Sequence, residues 1–283
     1  MTQILERIIF LICSNQLMLK VTCSIYFNKR EEGASNSGFI VRENDVVFVD
    51  NSDWLGKTKV DLDYLSVHIG KPIKFLVNTH FHPDHTFGNQ LFNCDIIASD
   101  KAPELFKLNE MELLKWLREE NVPEVLQNLR AIKITYPTKL VEDRTTLDDS
   151  HPLIKLIHLG GHTPDSLVVF VPEENAIFTG DLIFQGSHPF MVGSNINEWL
   201  SALEWLKSCG ATLFLPGHGE PCSRKDVEFM YSYLIKFKKS LAVFKAKGMT
   251  AEEIARKPDM LQLPHLDKPQ RIAKNVMFHY EKV

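Results

Sequence analysis

Alternation of apolar and polar positions divides the chain into strand-like and helix-like stretches. β-Branched and aromatic residues dominate residues 19–26 and 38–50, with the turn-like Glu32-Gly33-Ala34-Ser35-Asn36 between them, which predicts the start of a β-meander. Residues 59–69 carry a helical period, Pro72 follows, and Ile73-Lys74-Phe75-Leu76-Val77-Asn78 predicts a strand that ends directly on a histidine-rich loop. A strand is expected at 96–98, then charged helical sequence through Arg118-Glu119-Glu120. Five further runs, 133–136, 145–147, 154–158, 167–171 and 176–178, each bounded by Pro, Gly or Asp, predict a second sheet. Helix returns at 197–208, and the short strand 212–215 runs into Pro216-Gly217-His218-Gly219. Beyond Arg224 the pattern is helical, broken at Gly248 and Pro258.

No internal repeat or low-complexity linker separates the two strand-rich halves, so both are expected in one layered domain. The expected organisation is an N-terminal extension at 1–17, the domain at 18–223 and a helical appendage packed on it at 224–283. In that appendage Phe229, Met230, Tyr233, Leu234 and Phe237 recur at helical spacing and are expected to face the core.

Composition narrows the class. The 283 residues are 44% apolar and 24% charged, ordinary values for a globular chain. A formal net charge of −4 disfavours nucleic acid as a partner. Five cysteines without CxxC spacing exclude a disulfide framework and are expected to be small buried hydrophobes in a reducing compartment. Cys222, four residues past His218, stays open as a site residue. The apolar run Ile8-Ile9-Phe10-Leu11-Ile12-Cys13 is too short to span a bilayer. It lacks a small-residue cleavage site, and Glu6 cancels Arg7 in front of it. The expectation is a cytoplasmic protein with no membrane partner, with Met18 as an alternative start.

Candidate chemistry concentrates in Thr79-His80-Phe81-His82-Pro83-Asp84-His85. Four ligand types fall within six residues, and Pro83 excludes an interior strand or helix, so they crowd a loop. Such a loop can turn His80 and His82 to one centre while Asp84 and His85 face another. Imidazole and carboxylate suit Zn²⁺, and a catalytic site leaves a position open for water. Three later segments repeat one design, a strand running into a glycine-containing loop that bears a ligand type: Gly160-Gly161-His162, Thr179-Gly180-Asp181 and Gly217-His218-Gly219. Each is weak alone; in this order they reinforce one another.

His80-x-His82-x-Asp84-His85 followed by His162, Asp181 and His218 resembles the metallo-β-lactamase superfamily over roughly residues 18–220. The resemblance implies an α+β fold, a four-layer αβ/βα sandwich with metals at one edge between the sheets and a C-terminal helical extension. It implies two Zn²⁺, with iron or manganese as alternatives: His80, His82 and His162 around one, Asp84, His85 and His218 around the other, and Asp181 bridging. Two dications roughly 3.5–4 Å apart would share a hydroxide that attacks an ester, thioester, lactone or similar bond of a small-molecule substrate. Asp84 would also act catalytically by orienting that nucleophile and passing a proton to the leaving group.

Aspartate at 181 resembles the thioesterase, lactonase and phosphodiesterase-like branches more than the β-lactamases with cysteine near there, so antibiotic hydrolysis is not expected. His188, seven residues after Asp181, is a candidate to polarise substrate, its alternative being an exposed loop histidine. Met277, Phe278 and Tyr280 are candidates for a lid or a homodimer contact. Two other classes stand beside the hydrolase: a mononuclear iron sulfur oxygenase and a non-catalytic binding protein on the same fold. The complete second ligand set argues for hydrolysis.

Overall fold

The apolar runs nearest the N-terminus form four antiparallel strands, β1 (Leu19–Lys20), β2 (Ile25–Asn28), β3 (Ser37–Val41) and β4 (Val46–Val49). The stretch 38–50 is thus two strands, reversed where Arg42 N donates to Asp45 O at 2.9 Å. The computed structural model describes residues 18–30, 35–52, 54–118 and 130–283. The expected N-terminal extension with its apolar run and Cys13, and most of the predicted turn at 32–36, lie outside the described residues.

Helix α1 (Leu55–His68) leads from β4 to β5 (Ile73–Val77). The loop after β5 closes into the single turn α2 (Pro83–Thr86), and β6 (Asp95–Ser99), helix α3 (Ala102–Arg118) and β7 (Lys139–Val141) follow. From β4 to β7 the strands run parallel and complete a seven-stranded sheet. The second sheet has the order β12-β11-β10-β9-β8, with β8 (Arg144–Thr146), β9 (Lys155–His158), β10 (Leu167–Val171), β11 (Ala176–Phe184) and β12 (Leu213–His218). Helix α4 (Ile196–Ser208) joins β11 to its parallel neighbour β12, and α5 (Arg224–Ala246), α6 (Ala251–Arg256) and α7 (Gln270–His279) follow.

The strand period of two explains the layering. In β4, Val47 and Val49 enter a cluster with Leu167, Val169 and Phe178 of the second sheet, whereas Val46 and Phe48 join Leu65 of α1. In β10, Val168 faces away from the other sheet, into a cluster with Trp199 and Leu203 of α4 and Phe237 of α5. The layers are therefore helix, sheet, sheet, helix. Each large apolar side chain buried between them contributes roughly 1.5–3 kcal/mol.

Three sequence expectations need correction. Residues 133–136 form no strand: Pro137 has no N–H for a ladder, Ile134 and Tyr136 pack beside α3 instead, and β7 of the first sheet takes the segment's place. The α5 stripe is narrower than expected, since Met230, Tyr233, Leu234 and Phe237 are buried but Phe229, one position out of phase, is exposed. Among the described cysteines Cys222 is buried, whereas Cys23 is exposed and Cys94 and Cys209 are intermediate, all without disulfides. No helix among the described residues is long and apolar enough to cross a membrane.

Candidate metal centre

Strand β5 delivers the histidine loop to one end of the sandwich, and buried asparagines hold it there. Asn78 donates to the His85 carbonyl at 3.2 Å and Asn89 to Asn78 Oδ1 at 2.9 Å, while Asn51 donates to Asn89 Oδ1 at 2.7 Å. Pro83 occupies the first position of α2, where its missing N–H costs nothing. The loop therefore turns as one helical turn, which separates His80 and His82 from Asp84 and His85.

The side chains converge as two groups. In the first, His82 Nδ1 lies 3.0 Å from His80 Nε2 and 3.1 Å from His162 Nε2, and Asp181 Oδ2 lies 3.5 Å from His162 Nε2. In the second, Asp84 Oδ2 is 3.4 Å from His218 Nε2 and 3.9 Å from His85 Nε2. Asp181 faces both: Oδ2 is 3.4 Å from His218 Nε2 and Oδ1 is 3.3 Å from His85 Nε2. Two nitrogens about 2.0–2.1 Å from one zinc at a tetrahedral angle stand about 3.3 Å apart, close to these spacings. His85 Nε2 and Asp181 Oδ1 are buried without a hydrogen-bond partner among the described residues. Orphaned lone pairs of this kind fit a divalent cation.

A residue outside the predicted set orients this cluster. Asp50, at the end of β4 beside β5, accepts from Thr79 N at 2.7 Å, from Thr79 Oγ1 at 2.7 Å and from His85 Nδ1 at 2.8 Å. Because Thr79 Oγ1 donates to Asp50, it accepts from His80 Nδ1 at 3.1 Å. Both imidazoles thereby turn their Nε2 lone pairs inward. Asp50 sits at φ 54, a left-handed conformation that aspartate tolerates better than most residues.

Charge divides the groups. Burial lowers His80, His82 and His162, the last to about 3, so these imidazoles stay neutral. Burial also opposes charge on His85 and His218, but the Asp181 carboxylate, assisted by Asp50 for His85 and by Asp84 for both, raises them, His218 to about 9. Burial would raise Asp84 and Asp181; the two neighbouring imidazoles outweigh it and hold Asp84 at about 2 and Asp181 well below the usual carboxylate range.

His162 and His218 reach the cluster through close backbone approaches. A Cβ on Gly161, at φ 107, would meet Trp199 Cα at 2.7 Å, and the Trp199 ring lies 5.1 Å from that of His162. Asn36 donates to the carbonyls of Pro216 and Gly219, both at 2.9 Å, and clamps the turn that bears His218. Asp181 and His218 sit within β11 and β12, not beyond them, where register shifts at Gly180 and Phe184 re-aim the side chains.

His188 is not brought into the cluster. It is buried, with Nδ1 2.8 Å from Tyr233 Oη, and burial lowers its pKa. Cys222 likewise stays outside, its backbone bridged to Phe214 and its thiol pushed up by burial. Tyr280 donates to Met249 O at 2.7 Å, while Met277 faces solvent.

Asp165, three residues past His162, is buried, and neither carboxyl oxygen has a full hydrogen bond among the described residues. Burial raises it to about 7, against weaker pulls from Thr163 and the Phe81 backbone. An unfolded aspartate titrates near about 3.9. The contribution of Asp165 to stability is therefore complete below about pH 4 and lost as pH rises through about 7. In chelator-treated protein, Asp165→Asn should lie within about 1 kcal/mol of the parent at about pH 4.5 and exceed it by up to about 4 kcal/mol at about pH 8. Urea unfolding at both values measures this, and parallel pH profiles would contradict it.

Comparison with known proteins agrees with this geometry. The profile of the metallo-beta-lactamase superfamily matches residues 30–218, and the chain belongs to that family. It is 29% identical over 163 residues to the Beta-lactamase-like protein 2 homolog of Caenorhabditis elegans, covering 57% of this chain and 47% of that protein. It is 24% identical over 152 residues to the Acyl-coenzyme A thioesterase MBLAC2 of Gallus gallus, covering 50% and 55%. The chain thus spans about half the length of these curated relatives. Among solved structures, the metallo-beta-lactamase from Pontibacter korlensis superposes with a TM-score of 0.64 at 18% identity, covering 78% of this chain and 99% of the other. That likeness bears on the fold, the four-layer sandwich expected from the sequence.

Proposed function

We propose that the protein is a hydrolase of an ester, thioester or lactone bond in a small organic molecule, working with two zinc ions. His80, His82 and His162 would hold one, Asp84, His85 and His218 the other, and Asp181 would face both. The observation that carries this reading is the single Asp181 carboxylate lying within 3.5 Å of His162 Nε2 and 3.4 Å of His218 Nε2. Bound there, a pair of dications supplies a water acidic enough to ionise near neutrality and a Lewis acid for the scissile bond.

The chain's own groups divide the remaining work. His80 and His162 are neutral and aimed, so they offer lone pairs without first losing a proton. Asp84 differs from Asp181 in exposure: its side chain is 26% exposed against 4%. It can therefore meet an incoming substrate, orient the attacking oxygen and pass a proton to the leaving group. The thioesterase named among the relatives supports a thioester as one substrate class.

The test is a panel of thioesters, lactones, esters, β-lactams and phosphodiesters assayed with zinc-loaded protein. Turnover of a carboxylic ester, thioester or lactone, abolished by chelation and restored by zinc, is the expected result. Oxygen consumption with a persulfide and no hydrolysis of the panel would overturn the reading.

A further inference from the structure

Beyond the metal ligands, the cation Arg271 stands beside the cluster among the described residues, and it comes from the C-terminal helices. Phe184 lies three residues past Asp181 on β11, and its ring stacks on that of His218, with centroids 5.3 Å apart at 13°. The same ring lies 5.6 Å from that of His162. The guanidinium of Arg271, in the first turn of α7, sits over Phe184 with Cζ 5.3 Å from the ring centroid. Arg271 and the metal-ligand candidate His218 thus contact the same aromatic ring.

Its position is fixed by several bonds. Arg271 Nη1 donates to His188 O at 2.8 Å, His188 N donates to Asp267 O at 2.8 Å, and Asp267 N donates to Gly186 O at 3.1 Å. The segment entering α7 is thus pinned to the loop that leaves β11. The carbonyl bond uses one N–H of the guanidinium fork, and the rest of the fork keeps its donor capacity. Burial lowers the Arg271 pKa while the charges of Asp181 and Asp84 raise it, so the guanidinium feels both carboxylates of the cluster and stays charged.

The lining beside His82 is different. The Phe190 ring lies 6.2 Å from that of His82, and the Phe81 ring 4.8 Å from it. The surroundings are therefore aromatic beside His82 and cationic beside His218. A neutral, wholly apolar substrate would offer no acceptor to the part of the guanidinium fork that His188 O does not use, whereas an oxyanion matches its planar geometry.

We infer that Arg271 is the docking residue for an oxyanion, carboxylate or phosphate, carried by the substrate at a distance from the bond that is cleaved. The inference rests on the hydrolase reading for the chemistry but concerns recognition. It assigns to the C-terminal helices a part in substrate choice.

The test uses matched probes with zinc-loaded parent, Arg271→Ala and Arg271→Lys. S-acetyl-3-mercaptopropionate and its neutral amide form the carboxylate pair; S-acetyl-4′-phosphopantetheine and S-acetylpantetheine form the phosphate pair. For whichever charged probe the parent prefers, Arg271→Ala should raise KM at least about tenfold with kcat nearly unchanged. The neutral partner should be unaffected, metal content unaltered, and Arg271→Lys should restore part of the loss. Calorimetric binding of 3-(methylthio)propionate and of its neutral primary amide gives the same comparison without turnover: Arg271→Ala should weaken the carboxylate alone. Equal losses for charged and neutral members, or none for either, would overturn the inference and leave Arg271 as a strap on the His188 loop. Absence of all hydrolysis with intact discrimination in binding would count against the hydrolase reading and for Arg271.

Discussion

Asp181→Ala is expected to lower bound zinc to one ion or fewer per chain and to reduce hydrolysis by at least about a thousandfold, since losing about 4 kcal/mol of charge stabilisation has that effect on a rate. Among the described residues this carboxylate reaches both histidine groups, with Oδ2 3.5 Å from His162 Nε2 and 3.4 Å from His218 Nε2 and Oδ1 3.3 Å from His85 Nε2. It also leads the interactions that raise the pKa of the His85 and His218 imidazoles in the metal-free protein. Without it, two dications would stand close together with less negative charge between them. Asp181→Asn keeps the shape and removes the charge, so a similar loss in both variants points to charge. Elemental analysis alongside the assay reads both effects, and an alanine variant that retains two zinc ions would contradict the shared-ligand role.

A methyl group at residue 217 should be nearly as damaging, although glycine itself offers no side chain to a metal. A Cβ on Gly217 would collide with Asp181 Oδ1 and lie 3.0 Å from His85 Cε1. The backbone of Gly217 does not need a positive φ, so the cost is steric. Overpacking a tight site costs about 1–3 kcal/mol, and here the atoms that must move belong to the cluster. Gly217→Ala is expected to lower Tm of the metal-free protein and to lose most of its zinc and activity. Gly56→Ala, in α1 where a Cβ meets nothing within 4 Å, is the control and should be neutral or stabilising by up to about 1 kcal/mol. Equal behaviour of the two variants would contradict the packing argument.

The sequence disclosed the parts of this site that are local in the chain. His80, His82, Asp84 and His85 fall in one loop, and the strand leading into it is an unbroken apolar run, so cluster and placement could be read together. Asp50 could not, because a single aspartate at a strand end has no motif. Its role comes from β4 lying beside β5 in the sheet, a pairing that spans the whole of α1. Arg271 is further hidden, one cation among many in a charged helical tail, distinguished only by the ring it meets. Strand β11 runs beyond the expected 176–178 because its parallel partner β12 carries it through Gly180 and Asp181, a pair that reads as a turn in the sequence. At 133–136 β propensity was real but Pro137 and the packing against α3 decided otherwise. Propensity is local, and pairing is not.

The central claim is that the two ligand groups hold two ions around one shared carboxylate. Zinc counted per chain in protein equilibrated with zinc and freed of excess tests it most directly. The account predicts two zinc ions per chain in the parent, both removable by chelation with loss of hydrolysis; a stoichiometry of one, or none, in fully active protein would contradict it.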